Sequence, residues 1–136
     1  MQIVKPIDIE VAVAQELAAA LGGATVTAYP PPDNISSATV SIYALGGVEQ
    51  SVVSDKHDFV AYVWADTYGE AMAVGAEVCG LIRALRFNGG SASGAVFTTA
   101  EARPPYEDPD PLRPTLKRAT VRATVGARGI AIIDNS

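Results

Sequence analysis

The sequence has few of the side chains from which catalytic and metal sites are usually built. One cysteine and one histidine occur among 136 residues, so an internal disulfide is excluded. A nucleophile activated by histidine would have to use His57, which stands among charged residues and is expected to be solvated. Cys79 lies in a helical pattern and is expected to be a core residue. We therefore predict a protein that is not an enzyme and has no catalytic residue, cofactor or metal.

Positive charge is scarce as well. Ten lysine and arginine residues stand against 15 aspartate and glutamate residues, which gives a formal net charge of −5. A domain that grips a phosphate backbone needs a clustered excess of lysine and arginine. Specific binding of nucleic acid is therefore not expected, although an acidic wall would repel DNA and so let it slide past.

Long apolar runs are missing too. The longest uncharged stretch, residues 17–32, is interrupted by two glycines and three prolines, so it cannot cross a bilayer as a helix. The first residues do not show the charged segment and apolar run that mark a secretory signal. The sequence thus predicts a soluble protein that is made in the cytoplasm and has no membrane partner.

What the sequence does contain is a pattern of helices and strands. Apolar residues at helical spacing predict helices over residues 7–21 and 67–85, the second opened by a capping box of Thr67 and Glu70. Alternating or continuous apolar runs predict strands at residues 24–28, 38–45, 48–53, 57–65, 95–100 and 115–125. The predicted fold class is α+β, a single domain in which two helices pack on one face of a mainly antiparallel β-sheet.

Glycine and proline residues set the predicted breaks between these elements. The pair Gly46–Gly47 predicts a hairpin turn, and residues 89–94 form a flexible glycine–serine loop. The proline-rich segment 103–114 is expected to be irregular. Residues 126–136 are predicted to be a C-terminal extension of the domain, which as a whole spans residues 1–136.

The last predicted strand and the loop before it carry the charged candidates. Alternation along the strand predicts a wet, basic face made of Arg118, Thr120, Arg122 and Thr124. The two arginines either keep the protein soluble or pair with acidic residues of a neighbouring subunit. In the loop, the carboxylates of residues 107, 108 and 110 lack the spacing of a calcium loop, so a solvated acidic loop is expected. The aromatic residues Phe59, Tyr62 and Trp64 are expected to be core or half-buried.

Three stretches, taken in order, carry a resemblance to a known family. The strand FVAYVWA at residues 59–65 runs into a capped helix, which closes with residues 82–85 before a glycine loop. The proline-rich segment 104–114 then precedes the arginine-bearing strand 118–125. In this order and spacing, which cover most of residues 7–125, the chain resembles the tail terminator (minor tail) proteins of long-tailed bacteriophages, the family that includes the gpU-type proteins.

The resemblance implies a structural virion protein at the head-proximal end of the tail. Such a subunit assembles into a homo-oligomeric ring, usually a hexamer, which caps the tail tube, stops tail polymerisation and provides the head or neck attachment surface. Its partners would be the tail tube protein and the head–tail connector or neck protein, with DNA passing through the lumen without specific binding. The match to the family's loop and strand gives a candidate subunit or tube interface of Tyr106, Asp108, Asp110, Arg113, Arg118 and Arg122.

Two other interpretations remain open at this point. One is a neck or head-completion protein of the same particle, or a component of a related tail-like contractile or toxin particle. The other, of a different class, is a small α+β enzyme or ligand-binding domain with Asp108, Asp110 and Arg113 around a pocket. That second interpretation predicts loss of activity with intact assembly on Asp110→Ala, whereas a terminator predicts tails of uncontrolled length when its gene is removed.

Overall fold

The computed structural model describes residues 2–36 and 38–133. Neither helix within these residues is both long and apolar enough to cross a membrane. Along the described chain the elements are β1 (Gln2–Lys5), α1 (Ile9–Ala20), β2 (Thr25–Ala28), β3 (Thr39–Glu49), β4 (Ser54–Ala65), α2 (Tyr68–Asn88), β5 (Phe97–Ala102), β6 (Tyr106–Glu107), β7 (Lys117–Arg128) and β8 (Ile130–Ile133).

Six strands of the described residues form one sheet, which we call the main sheet. Its order is β2-β3-β4-β7-β5, with the short strand β6 also paired to β7. β2 and β3 are parallel, and the other pairs are antiparallel. α1 packs on β2 and β3, while α2 packs on β4, β5 and β7. The predicted α+β arrangement is confirmed, and β4 is central, as its apolar pattern indicates.

A side chain caps the N terminus of each described helix. α1 begins after Asp8, whose carboxylate accepts a hydrogen bond from the Val11 N–H at 3.2 Å. α2 begins after Thr67, whose hydroxyl accepts a hydrogen bond from the Glu70 N–H at 3.1 Å, as predicted. These bonds satisfy backbone donors that the first turn of a helix leaves free. The start of each helix is therefore fixed by the residues next to it in sequence.

The core lies between the helices and the inward face of the main sheet. Cys79 is buried there, in agreement with its predicted core position. Burying a side chain of valine, leucine or phenylalanine stabilises the fold by roughly 1.5–3 kcal/mol. The fully buried side chains that meet in the core include Val13 and Leu17 of α1, Val40 and Ile42 of β3, Phe59 and Val63 of β4, Val78 and Ile82 of α2, and Val121 and Val125 of β7.

The predicted hairpin turn at Gly46–Gly47 is wrong. β3 runs on through both glycines, and the chain reverses over residues 50–53 instead. The register of β3 with β4 shifts between Ala44 and Gly46, where φ is +108°. A Cβ atom at the second glycine would collide with the carbonyl oxygen of Lys56. The glycines are required for a β-bulge and a close approach of two strands, and not for a turn.

The C-terminal region contains β-structure that was not predicted. β7 continues past residue 125 to Arg128, and after Gly129 the chain forms β8, which pairs antiparallel with β1. Neither β1 nor β8 was predicted, because four residues each give too short a pattern to recognise. We call β1 and β8 the terminal ribbon; it is attached where the Gly129 N–H donates to the Val53 carbonyl at 2.9 Å. Residues 134–136 of the predicted extension lie outside the described residues.

Two carboxylates of α1 join the helix to other parts of the chain. Glu10 Oε2 accepts a hydrogen bond from the Ala44 N–H at 2.8 Å, beside the bulge. Glu16 Oε2 accepts one from the Ser93 N–H at 2.7 Å. Burial alone would raise the pKa of Glu16, but hydrogen bonds from Ser93 and from the backbone of the same loop together outweigh burial and lower it. The glycine–serine loop is thereby tied to α1.

His57 is buried, which contradicts the expectation of a solvated residue. It lies inside β4, paired with Gly47 and Val125 on the inward face, and is only 9% exposed. Among the described residues its Nε2 atom has no hydrogen-bond partner. Burial lowers the pKa of His57, and the carboxylates of Asp55 and Asp58 offset this only in part. The sequence misplaced His57 because β4 begins three residues earlier than its apolar pattern.

The buried imidazole predicts a dependence of stability on pH. The pKa is lower in the folded chain than in the unfolded chain, so the unfolded state binds the proton first as the pH falls. The free energy of unfolding should therefore decrease as the pH drops below about 7 towards about 5, and His57→Leu should remove most of that decrease. Urea unfolding of the unmodified protein and of His57→Leu, at about pH 7 and about pH 5, measures this difference in the free energy of unfolding. An unchanged difference in His57→Leu would contradict the prediction.

Candidate functional site

The face of the main sheet that points away from the helices carries polar and aromatic side chains. We call it the outer face. β7 contributes its alternate residues Arg118, Thr120, Arg122 and Thr124, as predicted. The paired residues of β4, in the same order, are Trp64, Tyr62, Val60 and Asp58. A loop after β6 covers the half of the outer face around Trp64, and the half around Arg122 is open.

The covered half is held by the carboxylate of Asp110. Its Oδ2 atom accepts hydrogen bonds from Trp64 Nε1 at 2.9 Å and from Arg113 at 3.2 Å, and its Oδ1 atom accepts one from the Leu112 N–H at 3.0 Å. The guanidinium of Arg113 also lies 5.3 Å from the centre of the Trp64 ring. Asp110 is 6% exposed. The expectation of a solvated acidic loop is wrong here, because protein donors replace water around the buried carboxylate.

Asp110 keeps its negative charge although it is buried. Burial raises the pKa of a carboxyl, but the hydrogen bonds from Trp64, Leu112 and Arg113 and the charge of Arg118 together hold the pKa of Asp110 below its ordinary value. The Arg118 guanidinium lies 3.7 Å from Asp110 Oδ2. One carboxylate thus faces two arginines beneath the loop.

Asp108 provides a second link between the loop and β7. Arg118 donates from Nε to the Asp108 carbonyl at 2.9 Å and from Nη2 to the Asp108 carboxylate at 3.2 Å. The Thr120 hydroxyl donates to the same carboxylate at 2.7 Å. Arg118 was a candidate for contact with a neighbouring subunit. In the structure these donors of Arg118 bind acceptors of its own chain instead.

Tyrosine rings lie in the middle of the outer face. The guanidinium of Arg118 lies 4.6 Å from the centre of the Tyr62 ring, within the range of a cation–π contact. Tyr29 and Tyr43 meet edge to face at 4.8 Å, and each lies 6.2 Å from Tyr62. Tyr29 and Tyr43 are 39% and 38% exposed. Such half-exposed tyrosines beside arginine are typical of protein interfaces.

The open half of the outer face forms a shallow groove of about 490 Å³. The Thr124 hydroxyl donates to the Asp58 carboxylate at 2.6 Å. The side chains of Glu101, Arg103 and Arg122 make no hydrogen bond or ion pair within the described residues. The groove therefore offers unpaired charges of both signs beside an apolar side chain, a surface suited to a protein partner of complementary charge. Its lining includes Leu45, Asp58, Glu101, Arg103, Arg122 and Thr124.

The structure brings together only part of the predicted interface. Tyr106 stands on β6, next to Thr120 of β7, and is 44% exposed. β6 itself corrects the prediction that the whole segment 103–114 is irregular. Arg122 lies apart from the covered half, in the open groove. The four predicted residues that meet under the loop are Asp108, Asp110, Arg113 and Arg118.

Sequence reasoning missed the side chain that anchors this cluster. Trp64 was expected to be core or half-buried, and it is buried, but the pleat of β4 puts residues of odd and even number on opposite faces, so Trp64 does not share the helix-side core with Phe59. Phe59 faces the helices and Trp64 faces the loop. Trp64 has an even residue number, like Tyr62 and Asp58, and this was the sequence signal that could have placed it on the outer face. Both faces of β4 therefore bury aromatic rings, Phe59 under the helices and Trp64 under the loop.

In the part of the chain that the structure describes, the side chains that most often take part in catalysis or metal binding are not grouped into a site. There, no group of three or more histidine, cysteine, aspartate or glutamate side chains is placed to hold a metal ion. Cys79 and His57 are both buried. The distinctive features of the outer face are instead an internal ion-pair cluster and an open, mixed-charge groove.

The anchoring role of Asp110 can be tested by removing its charge. Asp110→Asn keeps the shape of the side chain but weakens its bonds to two arginines, and should lower the free energy of unfolding by about 1–3 kcal/mol. Glu107→Gln is the matched control, since Glu107 is exposed and should change stability little. Chemical denaturation measures both. Equal stability of the two variants would show that Asp110 does not hold the loop.

The sequence matches no protein-family model, and no curated protein matches it. The structure is similar to a chain of a solved structure described as the virion of a native gene transfer agent (GTA) particle. The TM-score is 0.60 at 17% sequence identity, and the match covers 89% of this chain and 95% of the other. The two chains therefore share a fold along nearly their whole lengths.

Proposed function

We propose that this protein is a structural subunit of a phage-like particle and that, within the particle, it is a tail terminator. It would form a ring, usually a hexamer, on the end of the tail tube. The ring would stop tube polymerisation and provide the surface to which the head or neck attaches. The protein would be found in the virion, at the head-proximal end of the tail.

The observation that carries the proposal is the extent of the structural match. The similar chain comes from a virion particle, and 89% of this chain corresponds to 95% of that one. A match of this extent is of whole domains and not of one shared motif. The order of motifs that resembles the tail terminators of long-tailed phages supports the more specific role.

The chemistry of the outer face supports a role in assembly. The outer face has the composition of a protein interface. Tyrosines lie in its middle, and unpaired arginines and an exposed leucine lie in its open half. A contact between unlike surfaces of identical subunits closes into a ring when its rotation divides a full turn. Tyr106 and Arg122 are our candidates for direct contact with a neighbouring subunit or the tube. The four clustered residues of the covered half would act indirectly, by holding the loop in place.

The net charge suits a ring through which DNA passes. A lumen lined by an acidic chain of net charge −5 would repel the phosphate backbone and would not hold it. We also propose that the protein is not an enzyme. The alternative of a ligand pocket around Asp108, Asp110 and Arg113 would need their charged groups to be free, whereas hydrogen bonds and ion pairs within the chain engage all three.

Removal of the gene tests the role in the particle. Loss of a terminator should give tails of uncontrolled length that are not joined to heads, because nothing stops the addition of tube subunits and the attachment surface is missing. Electron microscopy of the particles measures both features. Tails of normal length without heads would favour the neck or head-completion interpretation. Head-attached tails of normal length would refute both.

A charge reversal in the open groove tests the contact surface. Arg122→Glu should weaken assembly with the neighbouring subunit or tube roughly tenfold, since an unpaired cation becomes an anion in a mixed-charge surface. Arg86→Glu is the control, because Arg86 is exposed on α2. Sedimentation and incorporation into particles measure assembly, and circular dichroism checks that both variants fold. Normal assembly by Arg122→Glu would remove the open half from the interface.

A further inference from the structure

The terminal ribbon exposes an unusual amount of apolar surface. Its register puts Ile3 opposite Ile132 and Lys5 opposite Ile130, all on one face. The three isoleucines are 46%, 41% and 51% exposed in the order Ile3, Ile132 and Ile130. Among the described residues β1 and β8 pair only with each other. A two-stranded ribbon with open edges and an apolar face is only marginally stable in water, so a partner should cover it.

Further exposed valines surround the base of the ribbon. Val53 is joined to Gly129 and Val96 to Arg128 by backbone hydrogen bonds, so both lie beside the point where β8 begins. Val53 is 45% and Val96 52% exposed, and the adjacent Val52 is 84% exposed. Apolar surface concentrated in this way marks a site of protein association.

A concave, mostly apolar surface lies between α1 and α2. The groove, of about 250 Å³, is lined by Ala19 and Ala20 near the end of α1 and by Leu81 and Ala84 of α2, and its lining also includes the polar residues Glu16, Asn88 and Ser91. Small side chains on both helices keep the groove open. It can accept branched apolar side chains that project from another molecule. We call it the helix groove.

The terminal ribbon and the helix groove lie towards opposite ends of α1. Val11, in the first turns of α1, lines a cavity together with Gly129 and Ile130 at the start of β8. The helix groove begins at Glu16 and reaches Ala20, so it starts about 7.5 Å further along the helix than Val11 at 1.5 Å per residue. A projecting surface at one end and a receiving surface at the other give a head-to-tail contact, the type that generates rings.

The charges of these two surfaces are complementary. Lys5 shares the exposed face of the ribbon with the isoleucines. Glu77 lies one turn before Leu81 on α2, so it stands on the same side of the helix as the groove. Both are exposed, and neither side chain has a partner within the described residues. A cation beside the projecting surface and an anion beside the receiving one favour one orientation of docking.

We propose that the terminal ribbon of one copy docks in the helix groove of the next copy, with the isoleucines over the alanines and Lys5 towards Glu77. The inference rests on the proposed ring, for which it names the contact between subunits. The occupant is a second copy because both complementary surfaces belong to the same chain. The contact is separate from the outer face, which remains available to the tube or neck.

A disulfide between two different variants tests the contact. Ile132→Cys and Ala84→Cys are made in separate chains, which are then mixed and oxidised, so that a mixed dimer can form only between copies. We expect that dimer, since docking would bring the two Cα atoms within the roughly 7 Å that a disulfide spans. Leu112→Cys replaces Ala84→Cys in the control, because Leu112 is 82% exposed on the loop that covers the outer face, on the other side of the main sheet from the helices.

The outcomes separate this inference from the proposed function. Oligomers that form without a dimer above the control level overturn the docking and leave the ring in place. Cross-linked subunits that form open filaments support the docking and contradict a closed terminator ring. The absence of both oligomers and cross-links, in solution and in particles, overturns both proposals.

A charge exchange gives an independent test of the same contact. Lys5→Glu and Glu77→Lys should each weaken self-association roughly tenfold, and the double variant should restore it, because the opposite charges would face each other again. Sedimentation equilibrium measures the association. A merely structural role of either residue would produce no such rescue. Additive losses in the double variant would overturn the proposed orientation.

Discussion

The carboxylate of Asp110 is the contact on which the outer face depends. It is buried against the indole of Trp64 and satisfied by donors from the loop and from arginines. A buried charge without such donors would be strongly unfavourable, so the loop, the tryptophan and β7 have to be in place together. The constraint explains how a proline-rich segment with one two-residue strand keeps a defined position on the sheet.

The charged residues of the outer face fall into two groups, those paired within the chain and those left unpaired. Asp108 and Arg118 join the loop to β7 within the chain, so they hold the loop in place and thereby fix the shape of the outer face. Arg122 lies two outward positions beyond Arg118 along β7; its side chain has no partner within the described residues and is free for a partner of another kind. A role in assembly fits such a molecule, because association needs complementary surfaces and an ordered scaffold that holds them.

The carboxylates of α1 provide a similar constraint on the helical side. Glu10 joins the helix to the bulge of β3, and Glu16 joins it to the glycine–serine loop. These bonds keep α1 in a fixed position between the terminal ribbon and the helix groove. If the ribbon docks in the groove of a second copy, the rigidity of α1 sets the rotation from one subunit to the next, and ring closure depends on that rotation.

The sequence by itself determined the features that depend on near neighbours: the capped start of α2, the central strand β4, the two faces of β7 and the α+β class. Each follows from side-chain period or capping over a few residues. Only the tertiary structure decided the bulge at Gly46, the burial of His57 and the pairing of the two ends of the chain in the terminal ribbon. It also decided that four predicted interface residues meet under a loop against Trp64, because Trp64 and Asp110, which are 46 positions apart, are brought together by strand order and not by any local pattern.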